Sequence, residues 1–257
     1  MNFYEFGDEN NPIMVLIHGV IQPWDSMMEQ IEYFRVDYHI YAVGLDGHTQ
    51  DQPTEFKSLE AEAKEIEEFF FQKGINQVDV LCGFSMGGAI AHVVWKNQRL
   101  KVRNLIMDGA PLVPYPKMLE TFMTKNYLDI IHKSKARDAK TLENFEKNFL
   151  PKKYLDSYLK LADNMSDESL RNIVHSASTS ALYTIIRNDS RILYIHGTKM
   201  NEMYSKKSAK LLKKAYPEAV VICYNGKAHL ECAIFEPEVW CKDVRAFLEK
   251  DEKAGVS

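Results

Sequence analysis

The amino-acid sequence predicts an α/β protein with a mostly parallel central sheet, helices on both faces and a helical cap insertion. Short apolar runs of strand length alternate with segments whose apolar residues recur at helical spacing. One long segment interrupts this alternation without a convincing strand. Parallel sheets of this kind carry their chemistry at the carboxyl ends of the strands, so functional residues are expected there.

Length and composition fit one large domain with an insertion. The chain has 257 residues, of which 46% are hydrophobic and 26% are charged. The net charge of -4 argues against a nucleic-acid partner, which would need a basic face. The amino-terminal segment has neither the basic region nor the apolar core of a signal peptide, and no apolar run approaches membrane-spanning length. We therefore expect a cytoplasmic protein without a membrane partner.

The four cysteines are Cys82, Cys223, Cys232 and Cys241. None has metal-ligand spacing, and we expect reduced thiols and no metal site.

The strands can be located from the apolar runs. They are predicted at 2–6 (as an edge strand), 13–17, 39–43, 78–82, 102–107, 191–195 and 220–224. Helices are predicted from about residue 25 to 34, over 56–70, after the strand at 78–82, over 203–216 and from 237 onward.

Residues 112–190 form the interruption, and they are too long for a bare loop. Their apolar residues recur at helical spacing in four groups, which include Phe122, Phe145 and Phe149. The predicted division is therefore a core of residues 1–111 and 191–257, with a helical cap at 112–190 over the strand ends.

The central motif is Gly83-Phe84-Ser85-Met86-Gly87, between a strand and a helix. This context is what the G-x-S-x-G nucleophile elbow requires. The turn holds Ser85 in a strained backbone conformation, and the two glycines allow strand and helix to approach closely. Ser85 is the predicted nucleophile.

A serine nucleophile needs a base that takes its proton, and His229 is the predicted base. It follows the last strand in a glycine-containing loop and precedes the final helix. The chain order of serine first and histidine last is the one this arrangement needs.

Two carboxylates are candidates for the acid that orients the histidine. Asp108 lies directly at the end of the strand after the elbow, and Glu202 lies farther along, near the start of a helix. Glu202 there has a simpler role, which is to favour the helix dipole. Asp108 is therefore preferred, with Glu202 as the alternative.

The oxyanion of a tetrahedral intermediate needs two N–H donors. Met86, the residue after the nucleophile, supplies one, and Val20, after the strand that ends at His18-Gly19, supplies the other. Asp46-Gly47-His48 is either a further feature of the site or a turn, and the turn is preferred because Asp-Gly is a turn signal.

A family resemblance rests on five segments. They are His18-Gly19-Val20, Asp46-Gly47-His48, Gly83 to Gly88, His196-Gly197 and the His229 loop with the helix after it. In this order they resemble the α/β-hydrolase superfamily in its compact form with a helical cap. The resemblance implies an eight-stranded sheet, no cofactor and hydrolysis of esters through an acyl-serine intermediate. The amino terminus is too short for all eight strands.

One position departs from the family pattern. Most members carry the acid three residues after the glycine that corresponds to Gly197, where this chain has Met200. Some relatives place the acid after the earlier strand, where Asp108 stands, which favours Asp108. Dehalogenase chemistry is not expected, because those enzymes carry Asp at the position of Ser85.

The predicted function is a serine hydrolase of the carboxylesterase type for a small or medium carboxylic ester or thioester with an apolar acyl or alcohol part. Two alternatives stay open. Met200 motivates the first, a catalytically weak or inactive protein that binds a ligand in the capped pocket. The second is a C–C bond hydrolase or peptidase that uses the same residues. The oligomeric state is not predicted.

Overall fold

A seven-stranded sheet runs through the computed structural model, which describes residues 1–185 and 189–250. The strands are β1 (Asn2–Phe6), β2 (Ile13–Ile17), β3 (His39–Gly44), β4 (Gln77–Phe84), β5 (Lys101–Asp108), β6 (Arg191–Gly197) and β7 (Val220–Tyr224). All seven lie where apolar runs predict strands.

Ten α-helices surround the sheet in the described residues. They are α1 (Met28–Phe34), α2 (Leu59–Gln72), α3 (Met86–Asn97), α4 (Lys117–Lys135), α5 (Ala139–Asn148), α6 (Leu155–Asn164), α7 (Asp167–Thr179), α8 (Met203–Ala215), α9 (Glu231–Phe235) and α10 (Pro237–Glu249). Short 3-10 helices at Trp24–Met27, Lys152–Tyr154 and Met200–Glu202 lead into α1, α6 and α8.

The strand order is β1-β3-β2-β4-β5-β6-β7, with β1 antiparallel to β3 and every other pair parallel. This confirms the predicted α/β class. The described residues contain seven strands, one fewer than the eight that the family resemblance implies.

Both faces of the sheet are buried. On β2, Val15 and Ile17 belong to one hydrophobic cluster, and Met14 and Leu16 belong to a second cluster on the opposite face. Burial on two faces explains why the parallel strands have continuous apolar runs instead of alternating ones.

The predicted cap segment forms the helices α4 to α7 between β5 and β6. Buried residues of these helices, such as Tyr158 and Leu170, belong to the same hydrophobic cluster as Phe56 and Leu59 of the core, so the insertion packs on the core without a break. Phe122 and Phe149, expected on apolar faces, are instead 66% and 42% exposed.

The cap boundaries at 112 and 190 stay a prediction. Residues 186–188 of the cap and 251–257 of the second core segment, with most of the charged tail, lie outside the described residues. Within the described residues, no helix has both the length and the apolar character needed to cross a bilayer.

The register brings the strand ends to one edge of the sheet. Ile17 pairs with Gly83, and Phe84 pairs with Asp108, which in turn pairs with Ile195. The loops that follow β2, β4, β5 and β6 therefore begin next to one another, as expected for a site at the carboxyl edge.

Gly87 offers a direct test of the close approach between α3 and β2. A Cβ at Gly87 would lie 2.2 Å from the Ile17 carbonyl oxygen and 2.4 Å from that of His18. Because these backbone groups belong to a buried strand end, Gly87→Ala should lower the free energy of unfolding by about 4 kcal/mol or more in urea titrations.

Gly74→Ala is the matched control. Gly74 has φ +73°, and a Cβ added there would meet no atom within 4 Å among the described residues beyond its chain neighbours. The substitution should therefore lower the free energy of unfolding only by the cost of placing alanine in the left-handed conformation, about 1 kcal/mol. Equal urea midpoints for the two variants would contradict the packing described for Gly87.

Candidate active site

Ser85 lies at the turn between β4 and α3 with a strained backbone. Its φ is 53° and its ψ is -114°, a conformation that costs a non-glycine residue about 1–3 kcal/mol. The Ser85 N–H donates to the carbonyl oxygen of Asp108 at 2.7 Å, which ties the turn to the end of β5. The side chain thereby projects from the sheet edge and remains partly exposed.

The neighbouring glycines explain why this turn can form. A Cβ at Gly83 would lie 2.2 Å from the carbonyl oxygen of Gly87, and a Cβ at Gly87 would overlap with the end of β2. Both positions exclude every larger residue. The strand, turn and helix predicted around the motif are all present.

His229 connects Ser85 to a carboxylate. Its Nε2 lies 2.8 Å from Ser85 Oγ, and its Nδ1 lies 2.8 Å from Glu202 Oε1. Since an ionised carboxylate only accepts, Nδ1–H donates to Glu202, and the free Nε2 accepts the proton of the Ser85 hydroxyl. The sequence-predicted Ser85 and His229 are thus within hydrogen-bond distance.

The loop that carries His229 is held by backbone contacts with the end of β6. The N–H groups of Thr198 and Lys199 donate to the carbonyl oxygen of Lys227 at 2.9 and 3.0 Å. A Cβ at Gly197 would lie 2.3 Å from that oxygen, so the glycine allows the approach. These contacts place His229 above the sheet edge.

The hydrogen bonds correct the preference for Asp108 over Glu202. Asp108 Oδ2 accepts a hydrogen bond from Trp240 Nε1 at 2.9 Å, and the carboxylate bonded to His229 is Glu202. The Asp108 side chain is directed to α10 and is only 3% exposed. Its backbone nevertheless contributes, because it bonds Ser85 and leads into Gly109, against which the His229 ring packs.

The turn after β6 explains why Glu202, and not Met200, reaches His229. Met200 begins the 3-10 helix that ends at Glu202, and the two residues point in different directions. Met200 is 90% exposed, whereas Glu202 is 1% exposed. The 3-10 turn places the carboxylate two residues later in the chain and directs it inward to His229. Glu202 therefore bonds His229 in addition to any interaction with the helix dipole.

The charges of this pair support each other. Burial, the largest influence, disfavours ionisation of Glu202, but the hydrogen bond from His229 and the charge of that ring together hold its pKa below the ordinary value. Burial likewise disfavours the charged form of His229, but the hydrogen bond to Glu202 and its charge raise the pKa of His229. Ionised Glu202 thus stabilises a protonated His229.

The loop after β2 lies against Ser85. A Cβ at Gly19 would lie 3.4 Å from Ser85 Cβ. The N–H of Gly19 donates to Gln22 Oε1 at 3.0 Å, and that of Ile21 donates to His48 Nε2 at 3.2 Å. Val20 lies between these two occupied N–H groups. Met86 is the first residue of α3, where an N–H has no acceptor within its helix.

Sequence reasoning gave His18 no role in this loop region and preferred a turn to a site feature at His48. Asp46-Gly47-His48 forms the predicted turn, with Gly47 at φ +71°, but the His48 ring also bonds the loop after β2. His18 is fully buried beside it, with the ring centroids 4.9 Å apart. The signal in the sequence was that His18 directly follows the predicted strand at 13–17 and His48 lies in the turn after the strand at 39–43.

Asp108 allows a prediction about stability. Burial raises its pKa to about 7, so the ionised carboxylate costs the folded state roughly 4 kcal/mol relative to an ordinary aspartate. The cost appears as pH rises from about 4 toward about 7. Asp108→Asn keeps an acceptor for Trp240 and should be more stable than wild type at pH 8 but not at pH 4, in urea titrations.

Glu202→Gln is the control, because its stability at pH 8 should change in the opposite direction. The pKa of Glu202 is lowered in the fold, so its ionised form stabilises the protein and the variant should lose stability at pH 8. Equal pH dependence of stability in wild type and Asp108→Asn would contradict the buried-carboxylate description.

Comparisons with curated proteins cover part of the chain. Over 108 residues the chain is 30% identical to epoxide hydrolase 3 of Xenopus tropicalis, in an alignment that covers 41% of this chain and 29% of that protein. With epoxide hydrolase 4 of Mus musculus, the identity is 24% and the alignment covers 50% of this chain and 35% of that protein. The chain thus matches about a third of the length of these relatives.

Solved structures match over nearly the whole chain. An α/β-hydrolase family protein from Desulfitobacterium hafniense superposes with a TM-score of 0.76 at 20% identity, covering 96% of this chain and 100% of that one. A carboxylesterase structure from Nitrososphaera gargenis gives a TM-score of 0.75 at 16% identity, covering 98% and 95%. These likenesses show the fold.

The family comparison covers most of the sequence. Residues 12–229 match the family described as alpha/beta hydrolase fold, a range that runs from the start of β2 to His229. The chain therefore belongs to the α/β-hydrolase fold family.

Proposed function

We propose that the protein is a serine hydrolase that cleaves a small or medium carboxylic ester or thioester through an acyl-serine intermediate. The observation that carries the proposal is the continuous hydrogen-bond chain from Glu202 through His229 to Ser85, with both distances at 2.8 Å. A nucleophile, a base and an orienting acid in this order are what acyl transfer needs.

In the first half of the reaction, Ser85 Oγ attacks the carbonyl carbon and His229 Nε2 takes its proton. The imidazolium that forms is stabilised by ionised Glu202, and it then protonates the departing alcohol or thiol. In the second half, His229 takes a proton from water, which attacks the acyl-serine, and returns it to Ser85 Oγ. Glu202 keeps Nδ1 protonated, so that Nε2 is free at the start of each half.

The negative oxygen of each tetrahedral intermediate binds the N–H groups of Val20 and Met86. Met86 offers the free N–H of a helix start, where the helix dipole also favours negative charge. Val20 lies next to Gly19, which contacts Ser85. Donors held in advance at this position lower the barrier without reorganisation during the reaction.

The nucleophile favours acyl substrates over epoxides, although epoxide hydrolases are among the relatives. An acyl group on Ser85 is an ester, which an activated water hydrolyses. Opening of an epoxide by Ser85 would leave an ether, which the same groups do not hydrolyse. An ester or thioester is therefore the substrate class that allows Ser85 to turn over.

An apolar part of the substrate fits the surface near the acid. Met203, the residue after Glu202, is 50% exposed, and Tyr204 packs against Tyr115, which precedes α4, at 4.4 Å between ring centroids. Apolar side chains that remain accessible beside a site favour an apolar acyl or alcohol group.

The alternative of a ligand-binding protein without turnover is less favoured than hydrolysis. It rested on Met200 at the expected acid position, and Glu202 bonds His229 in its place. Hydrolysis of C–C bonds or peptides would use the same three groups, and no contact in the described residues favours it over ester hydrolysis.

The proposal predicts turnover of p-nitrophenyl esters and stoichiometric labelling of Ser85 by a fluorophosphonate. Ser85→Ala should abolish both, and Glu202→Gln should lower kcat by about 10²- to 10⁴-fold because His229 loses its orienting acceptor. The wild-type rate should rise with pH through the pKa of His229, which lies above its ordinary value. The residual activity of Glu202→Gln should also increase with pH, but with its midpoint at a lower pH than in wild type, because the carboxylate charge that raises the pKa of His229 is gone.

Asp108→Asn is the matched control, because it neutralises the second buried carboxylate near His229 and keeps an acceptor for Trp240. Its kcat should stay within about tenfold of wild type. A folded wild-type protein without labelling or turnover would overturn the proposed function, and a larger loss in Asp108→Asn than in Glu202→Gln would overturn the assignment of Glu202.

A further inference from the structure

The loop after β2, which lies beside Ser85 at Gly19, contains a second residue with a strained backbone, Ile21. Ile21 has φ 51° and is 2% exposed. A β-branched residue rarely adopts a positive φ, because its branched side chain collides with its own backbone. The conformation persists only when surrounding contacts hold it, and such strain is concentrated at functional sites.

His48 holds the carboxyl side of Val20. Its Nε2 accepts the Ile21 N–H at 3.2 Å, and its Nδ1–H donates to the carbonyl oxygen of Asp46 at 3.1 Å. The ring therefore links the strained residue to the turn after β3.

His18 holds the amino side of Val20. Its Nδ1–H donates to the carbonyl oxygen of Gly19 at 2.8 Å, and its Nε2 accepts the Leu45 N–H at 3.2 Å. The ring links the residue before Val20 to the same region after β3. The two histidines thus bond the peptide groups on both sides of Val20.

Both rings must be neutral and carry their proton on Nδ1. A carbonyl oxygen only accepts and a peptide N–H only donates, so each Nε2 must offer a lone pair. Burial supports this state, since His18 is 0% and His48 1% exposed. Burial lowers the pKa of His18 to about 4, and burial together with the neighbouring His18 lowers the pKa of His48 well below its ordinary value.

We propose that His18 and His48 form a histidine clamp, two positioning residues that hold the peptide groups on either side of Val20 and thereby aim the Val20 N–H at the substrate oxyanion. The inference rests on the proposed serine-hydrolase function, in which Val20 is an oxyanion donor. Neither histidine touches the substrate. Their effect is to fix one donor of the tetrahedral intermediate before the reaction begins.

The clamp predicts that removal of His48 weakens stabilisation of the transition state without weakening binding of the substrate. His48→Leu removes the acceptor of the Ile21 N–H, and we expect kcat to fall about 10- to 100-fold with KM within about twofold of wild type. The affinity for an alkyl boronic acid, whose serine adduct carries an oxyanion, should weaken by the same factor. His48→Gln places Oε1 near the position of Nε2 and should restore kcat to within about fivefold of wild type.

His92→Leu is the matched control. His92 is an equally buried histidine, 1% exposed, but it lies in α3 against the rings of Trp95 and Tyr183. Its loss should change stability without changing kcat or the boronic acid affinity. If His48→Leu keeps the wild-type kcat, or if His48→Gln is as slow as His48→Leu, the clamp is wrong.

A second measurement tests the clamp independently of turnover. Nitrogen-15 NMR of the wild-type protein, with signals assigned from His48→Gln and His18→Gln, should show both rings neutral and protonated at Nδ1 at pH 6. A proton on Nε2 of either ring, or protonated rings at this pH, would overturn the clamp even in a protein without hydrolase activity. If Ser85 is not labelled but both rings carry their proton on Nδ1, the proposed function is wrong and the hydrogen bonds of the clamp are still supported.

Discussion

The contact between the start of α3 and the end of β2 determines where the reactive groups lie. Gly87 packs against the carbonyl groups of Ile17 and His18 so closely that no side chain fits between them. The helix can approach the strand this closely only because residue 87 has no side chain. Ser85, at the turn before the helix, therefore projects from the sheet edge. The same contact places Gly19 against Ser85. Ser85 and the loop after β2, which in the proposed function supply the nucleophile and an oxyanion donor, are therefore positioned by one packing constraint.

Features set by local sequence were predictable. The strands follow from apolar runs that are buried on both faces, and the elbow follows from glycines that a close approach requires. His229 could be selected because its place in chain order, after the last strand, is enough to bring it to the same sheet edge as Ser85. The parallel register then aligns these ends without further information from side chains.

The carboxylate that bonds His229 was not predictable in the same way. Asp108 and Glu202 both lie at the carboxyl edge, and the choice depends on the direction of two side chains. The 3-10 turn of Met200–Glu202 rotates Glu202 inward, and the hydrogen bond from Trp240 engages Asp108. Trp240 is distant in sequence, so no local pattern could reveal that contact. The hydrogen bond between His48 and Ile21 was hidden for the same reason, because Ile21 belongs to another loop.

Burial gives the ionisable groups of this region different states. Glu202 stays ionised because His229 compensates its desolvation, whereas the pKa of Asp108 rises to about 7. His18 is held neutral, with its pKa lowered to about 4. The region thus combines an ionised carboxylate, which stabilises the imidazolium when His229 takes up a proton, with neutral histidines suited to holding backbone in place.

The central claim is that Ser85 forms a covalent acyl intermediate. The most direct measurement is mass spectrometry of the protein quenched in acid within the first turnover of p-nitrophenyl acetate. The account predicts an added acetyl group on the peptide that contains Ser85, formed at the rate of p-nitrophenol release. Release of p-nitrophenol with that peptide unmodified, or with the acetyl group on another residue, would contradict it.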